Sequence, residues 1–340
     1  VVKEIQTILR RVRAEPGPWV LATLVNVEGS SYRRAGARAL ISANGDRVGS
    51  ISGGCLEEDI LLRARRVAQT WTPEVATYDT TSENDLIWGV GLGCHGIVRV
   101  LIEPLVSRAQ WLAAAAEALD GGPACNVRVT WIPESGRPLG TELTEAAGPE
   151  RAETSDRRRG VFMETFGAPT GLFVYGAGDD AQPLVQAAGE LGWRVTVADP
   201  RPAYATVARF PAARHVVTGS SDQLVESTNP GAGALAVVMT HHYIHDLPLL
   251  RALWPRPLAY LGLLGPKKRA QKMMETLGAE GLKVTPEMSA RLFAPVGLDL
   301  GAEGAEEIAL SILAEMKATL ADRSARPLRE RVAPIHDEQR

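Results

Sequence analysis

Three cysteines in 340 residues are too few for a disulfide framework, and a reducing compartment would keep them as thiols. Each has to be read by itself. Charge of one sign is lacking as well: 37 basic side chains against 40 acidic ones leave a formal net charge of −3. No basic face is segregated for phosphate contacts, which argues against a nucleic-acid partner. The basic runs at 10–13 and 63–66 read as solvated helix faces. No stretch approaches the roughly 18 to 20 uninterrupted apolar residues of a membrane span. The opening VVKEIQTILRRVRAEPG reads as an amphipathic helix rather than a signal peptide. A cytoplasmic protein without a membrane span is expected.

What is present is a chain long enough for two domains, each with its own core. In the first half, a helix over 2–14 leads into the apolar run 19–27, a central strand buried on both faces. Asn44-Gly45 marks a hairpin between 37–42 and 47–51. Two hydroxyl- and glycine-rich loops flank that hairpin. The first, Gly29 to Gly36, gathers Ser30, Ser31, Arg33 and Arg34, an anion-binding inventory. The second, Ser52-Gly53-Gly54-Cys55-Leu56-Glu57, runs into an amphipathic helix, so Cys55 falls at a helix N-terminus, where the dipole favours a thiolate. A third loop, Trp88 to Gly96, carries Cys94, His95 and four glycines in nine residues. Such glycine density fits close backbone approach at the same site.

The segment 133–168, rich in Gly, Pro, Thr and charge, reads as the connection between a 1–132 domain and a 169–322 domain, with a charged tail at 323–340. Within it, 161–166 has the character of a short strand. From Gly171 onward strands and helices alternate, the pattern of a Rossmann-like doubly wound parallel sheet. The fold class is therefore α/β, with an N-terminal α/β domain built on a mixed sheet. Gly176-x-Gly178-x-x-Ala181 follows a strand and opens a helix, and Asp199 ends the next strand about twenty residues on. In that context the glycines serve a pyrophosphate and the carboxylate a ribose hydroxyl. The alternative is that the glycines serve strand-to-helix packing only, with Asp179 and Asp180 capping the helix. His241, His242, His245 and Asp246 follow a later strand at the sheet edge where ligands bind. They read as a metal set or as a polar loop in which His241 alone faces the ligand. Gly265 and Lys267, after the last long strand, form a second phosphate candidate or an ordinary basic first helical turn.

Four separated motifs, Gly29-Ser30-Ser31-x-Arg33, Gly49 to Glu57, Gly91-Leu92-Gly93-Cys94 and Gly297-Leu298-Asp299-Leu300-Gly301, together with Glu306 to Glu315, resemble the XdhC/CoxI family of xanthine dehydrogenase accessory factors. The likeness runs from about Gly17 to Lys317. It implies a maturation factor that binds the molybdenum cofactor, as molybdopterin or its nucleotide form, and protects it during sulfuration by a cysteine desulfurase. The cofactor then passes to an apo molybdenum hydroxylase of the xanthine dehydrogenase or CO dehydrogenase type. A carrier more than a catalyst is expected, working as a homodimer. Ser30, Ser31, Arg33, Ser52, Gly53 and Gly54 would then serve the cofactor's phosphate, and Cys55 and Cys94 its soft metal. Cys55 also reads as a small hydrophobe at a helix start, and Cys125 as core. Two positions depart from the family pattern: Asp179 stands among the cofactor-binding residues where many members have His, and His95 where Gly is common. The rival reading is an NAD(P)-dependent oxidoreductase, with dinucleotide at Gly176, Gly178 and Asp199 and with Cys55 or His241 at the reacting centre.

Overall fold

The computed structural model describes residues 2–15, 17–29, 31–79, 96–133, 137–144 and 160–332. The chain divides into two compact units between Ala168 and Pro169. Among the described residues no helix is long and apolar enough to cross a membrane.

In the first unit, helix α1 (Val2–Ala14) buries Ile5, Ile8, Leu9 and Val12, the stripe an amphipathic helix turns to a core. Strand β1 (Trp19–Gly29) is central, pairing with β2 (Arg38–Ser42) on one side and β5 (Gly96–Leu105) on the other. Strands β3 (Arg47–Gly49) and β4 (Glu74–Asp79) close the edges in the order β3-β2-β1-β5-β4. The α/β class holds, but this sheet is antiparallel in every pairing rather than mixed. The reason lies in the connections. Among the described residues the helical crossover of this sheet, α2 (Glu57–Thr70), joins the two edge strands, and these never pair with each other.

Both faces of β1 are covered, which accounts for its unbroken apolar run. Trp19, Leu21 and Val25 meet α1 and α3 (Gln110–Leu119), with β6 (Cys125–Thr130) and β8 (Val161–Phe166) contributing to the same core. Val20, Ala22 and Leu24 meet Ile60, Ala64 and Val67 of α2. The segment expected to be a connection is partly structural. Its described residues supply β7 (Gly140–Thr144) and β8, which flank β6 in a three-stranded antiparallel sheet. Phe166 draws that strand in, stacked on Trp111 at 6.5 Å. The buried Arg38 adds an ion pair from β2 to Glu164 of β8 at 2.6 Å.

The second unit is a six-stranded parallel sheet. Its strands are β9 (Gly171–Tyr175), β10 (Arg194–Asp199), β11 (His215–Thr218), β12 (Leu235–Val238), β13 (Tyr260–Leu263) and β14 (Leu292–Phe293). The spatial order is β11-β10-β9-β12-β13-β14, the doubly wound Rossmann order, whose direction of winding reverses between β9 and β12. Helices α4 (Ala181–Glu190) and α9 (Ala305–Leu320) cover one face through Leu184, Val185, Ile312 and Met316. Helices α5 (Ser221–Thr228), α6 (Tyr243–Leu253) and α7 (Lys267–Ala279) cover the other through Leu224, Leu249, Leu253 and Met273. A short helix, α8 (Pro286–Ala290), precedes β14.

At the switch point the chain leaves β9 through Gly176, which has φ +131°. A Cβ there would lie 2.5 Å from the carbonyl of Met239 and 2.8 Å from the amide nitrogen of Thr240. Only glycine lets the loop cross the end of β12 so closely. Gly176→Ala should therefore lose about 1–3 kcal/mol of stability, measured by urea unfolding. An unchanged midpoint would mean that the loop relaxes around the methyl group.

Candidate functional site

In the first unit, the two loops that flank the hairpin are tied to each other. Ser30 lies outside the described residues, as do Cys94 and His95 of the third loop. Ser31 is partly buried and Tyr32 is 68% exposed. Arg33 donates to Glu4 of α1 at 2.8 Å, and the same carboxylate accepts from the backbone nitrogens of Arg38 (3.4 Å) and Ser50 (3.2 Å). Gly53 lies under the Tyr32 ring, whose nearest carbon would be 3.2 Å from a Cβ at that position. Gly96, where the chain enters β5, is the register partner of Gly29, where it leaves β1.

The second loop wraps a carboxylate of its own. Oε1 of Glu57 accepts from the Ser50 hydroxyl (2.7 Å) and from the amides of Ile51 (3.1 Å) and Ser52 (2.9 Å). Oε2 accepts from the Ser52 hydroxyl and from the amide of Gly54 at 2.9 Å. Burial alone would raise this carboxyl's pKa. The donors, led by Ser52, outweigh burial and hold it at about 2. The Ser52 oxygen also accepts from the Leu56 amide at 3.0 Å, closing the turn into α2. Cys55 is exposed, beside the N-cap residue Leu56. Arg34 is also exposed. Cys125 sits partly buried against the core, and burial, reinforced by Glu117 and Glu164, pushes its thiol pKa up.

In the second unit, Gly176, Asp199, His241 and Gly265 all stand at the carboxyl ends of strands. Asp199 is fully buried and its acceptor capacity is filled. It takes the Ala177 amide at 2.6 Å, the Arg201 amide at 2.8 Å, and the Arg201 guanidinium through Nε at 2.9 Å and Nη2 at 2.8 Å. Burial would raise its pKa; these bonds, Arg201 first, bring it below the usual carboxylate value. Arg209 reaches back over the loop to the Ala177 carbonyl (3.2 Å) and to Asp179 (2.7 Å). Asp180 folds over the second glycine, its Oδ1 2.6 Å from where a Gly178 Cβ would be. Its other oxygen holds Nε2 of His241 at 2.7 Å. His241 adopts the left-handed backbone conformation at φ +65°.

His241 and His245 have separate polar partners, and the rings of His242 and His245 lie edge to face with centroids 6.0 Å apart. His245 Nδ1 meets Ser221 at 3.1 Å, while buried Asp246 takes Thr240 Oγ1 at 2.6 Å and pairs with Arg269. Among the described residues no group of three His, Cys, Asp or Glu side chains is arranged to hold a metal. His241 stands beside the glycine loop through its bond to Asp180. Lys267 opens α7 and is exposed, next to Gly265. The Gly297 to Gly301 motif is held by α9. Glu315 accepts from the Gly297 amide at 2.9 Å and from the Tyr260 hydroxyl at 2.5 Å, and Ser311 donates to the Leu298 carbonyl at 2.6 Å.

The chain is similar to known proteins. Residues 12–79 match the model of the XdhC and CoxI family, and residues 172–316 match that of the XdhC Rossmann domain. A probable xanthine dehydrogenase subunit from Bacillus subtilis (strain 168) is 34% identical over 315 residues, spanning 88% of this chain and 92% of that protein. The chain belongs to the XdhC and CoxI family. Within that family its fold is shared by the crystal structure of a xanthine dehydrogenase from Bacillus halodurans, at 31% identity and TM-score 0.81, over 96% of this chain and 98% of that one. The molybdenum cofactor insertion chaperone PaoD of Escherichia coli (strain K12) is 26% identical over 306 residues, 87% of this chain and 82% of its own.

Three sequence expectations change on the geometry of this XdhC and CoxI family chain. Ser52 and the Gly54 amide serve Glu57 rather than a free anion, and Arg33 serves Glu4, leaving Arg34 as the exposed guanidinium. Asp199 faces inward, with no acceptor position left for a ribose hydroxyl. Glu4, Glu57, Asp180, Arg201, Tyr204 and Arg209 were not anticipated as site residues. Only the Asp199-x-Arg201 spacing hinted at its pair, since two residues along an extended chain point the same way.

Glu57 has a lowered folded pKa, so its contribution to stability is present above the ordinary carboxylate value of 4.5 and disappears as pH falls through about 2. Glu57→Gln should lose about 1–3 kcal/mol at neutral pH and flatten that acid limb, as followed by thermal unfolding across the pH range. His241 behaves with the opposite sign. The bond from Asp180 raises its pKa from 6.5 despite partial burial, so the pair stabilises below that value and weakens as pH rises past the folded pKa. Asp180→Asn should move the imidazole titration down in proton NMR. A curve that does not move would remove the pair as the cause.

Proposed function

We propose that this chain binds the molybdenum cofactor and delivers it to an apo molybdenum hydroxylase, and that sulfur added by a cysteine desulfurase reaches the cofactor while it is held. Membership of the XdhC and CoxI family supports the reading, as does the resemblance to a protein named as a molybdenum cofactor insertion chaperone. The observation that carries it is the exposed Cys55 thiol, set beside the Tyr32–Gly53 contact.

The residues fit such a group in kind. A cysteine sulfur is a soft ligand suited to molybdenum, an exposed aromatic ring suits the face of a pterin, and an exposed guanidinium suits a phosphate. Cys55, Tyr32 and Arg34 supply these, with Ser31 as a hydroxyl donor. When bound, the cofactor supplies the metal centre that the client enzyme uses for hydroxylation. The chain's own part is to hold and orient. Glu57 and Glu4 use their carboxylates to lock the two loops, so the rim residues keep their places with or without cargo. Nothing in this arrangement requires the chain to turn over a substrate, and we take it as a carrier.

Cys55→Ser should lower the molybdenum recovered with the protein several-fold after expression with a molybdate supply, as read by elemental analysis. Serine keeps the volume at an exposed position, so unfolding curves of parent and variant should coincide. Equal molybdenum content and equal maturation of the client would leave the thiol without this role.

A further inference from the structure

We infer that the second unit reads a nucleotide whose ribose carries a phosphate, through Arg201, Tyr204 and Arg209. The inference does not rest on the carrier reading. It starts from where ligands lie in a doubly wound sheet: across the carboxyl ends of the strands, with the end of the second strand facing the ribose. An acid at that place reads a ribose diol, and an arginine accommodates a ribose phosphate. Here the acid is Asp199 at the end of β10, and it is withdrawn from solvent with its acceptor capacity used. Its position at the surface is taken by the guanidinium of Arg201.

A second guanidinium joins it. The central carbon of Arg201 lies 4.2 Å from the centroid of Tyr204, and that of Arg209 lies 5.2 Å from the same centroid. The three residues come from two successive turns: Tyr204 N–H closes onto the Arg201 carbonyl at 3.0 Å, and Arg209 N–H onto the Thr206 carbonyl at 3.1 Å. Short hydrogen-bonded turns hold the groups in register. Tyr204 leaves part of its ring exposed.

The charges are unequally satisfied. Arg201 answers a fully buried carboxylate, whereas Arg209 answers Asp179, whose side chain is 89% exposed and also accepts from Gln182 at 3.2 Å. An exposed pair of that kind is worth little. Arg209 Nε is buried without a hydrogen-bond partner. Two planar guanidiniums beside one ring present donors in the fork geometry that phosphate oxygens accept, and a phosphate dianion outcompetes one solvated carboxylate. For a nucleotide with a bare ribose diol, Asp199 at the end of β10 has no acceptor position left for the hydroxyls.

The test is titration of the purified full chain with NADPH and with NADH, followed by nicotinamide fluorescence, with 2′,5′-ADP, 5′-AMP and inorganic phosphate as competitors. NADPH should bind about tenfold more tightly or better, the effect of one additional charge-assisted hydrogen bond. Displacement by 2′,5′-ADP should far exceed that by 5′-AMP or inorganic phosphate. Arg209→Ala should abolish the preference, and Arg209→Lys should keep only part of it, because the charge remains and the fork is lost. Circular dichroism checks that the variants fold, and Arg209→Lys decides the matter should Arg209→Ala fail to fold. Equal affinity for the two dinucleotides, no binding of either, or equal displacement by inorganic phosphate would overturn the inference. The experiment contains no molybdenum, so its failure leaves the cofactor-carrier reading standing, and loss of molybdenum retention leaves this one standing.

Discussion

The 50–57 loop of the first unit and the 176–181 loop of the second are each organised around a carboxylate of the chain itself, and the remaining site geometry depends on that choice. A carboxylate inside a ring of N–H and O–H donors is stabilised by charge-assisted bonds, each worth roughly 1.5–3 kcal/mol. Removing it would leave those donors facing one another. Glu57 collects the donors of 50–54 in the first unit, and Asp199 collects the Ala177 amide and Arg201 in the second. The loops are therefore closed knots of hydrogen bonds rather than open anion cradles. A ligand is met by what the knots display on their rims: Tyr32, Arg34 and Cys55 in one, Tyr204, Arg209 and His241 in the other.

Hydrogen bonds at the loops divide the labour with packing beneath them. Arg33 and Glu4 fasten the first loop to α1, and Asp180, two residues past the second glycine, is bonded to His241. Packing does the rest. The buried Arg38 joins the antiparallel sheet to β8 through Glu164, with its ring contact to Phe166 at 5.4 Å. A buried pair of this kind adds little net stability over an apolar pair, yet breaking it by removing one partner is costly. It thereby makes 160–166 part of the first unit's core rather than slack between units.

In the second unit the same economy appears at the far edge of the sheet. The Gly297 to Gly301 motif depends on Glu315 and Ser311, which belong to the stretch of α9 that carries the family likeness. Two motifs that look independent along the chain are thus one contact. Asp299 and Leu300 remain exposed above it.

The periodicities and turn residues were sufficient to read the α/β class, the parallel order of the second half, the hairpin at Asn44-Gly45 and the glycine loops, because each rests on chemistry between residues only a few positions apart. The family likeness was readable for the same reason, as short motifs in fixed order. Three things were decided by tertiary structure alone: the antiparallel sense of the first sheet, the membership of 160–166 in its core, and the distant partners of Asp199, Asp180 and Glu4. Asp199 meets Ala177 across 22 positions, His241 meets Asp180 across 61, and Arg33 meets Glu4 across 29. Sequence pattern carries which groups are polar and which turn a loop will make. It does not carry which donor a carboxylate will find, because that depends on how folded elements bring distant positions within about 3 Å of one another.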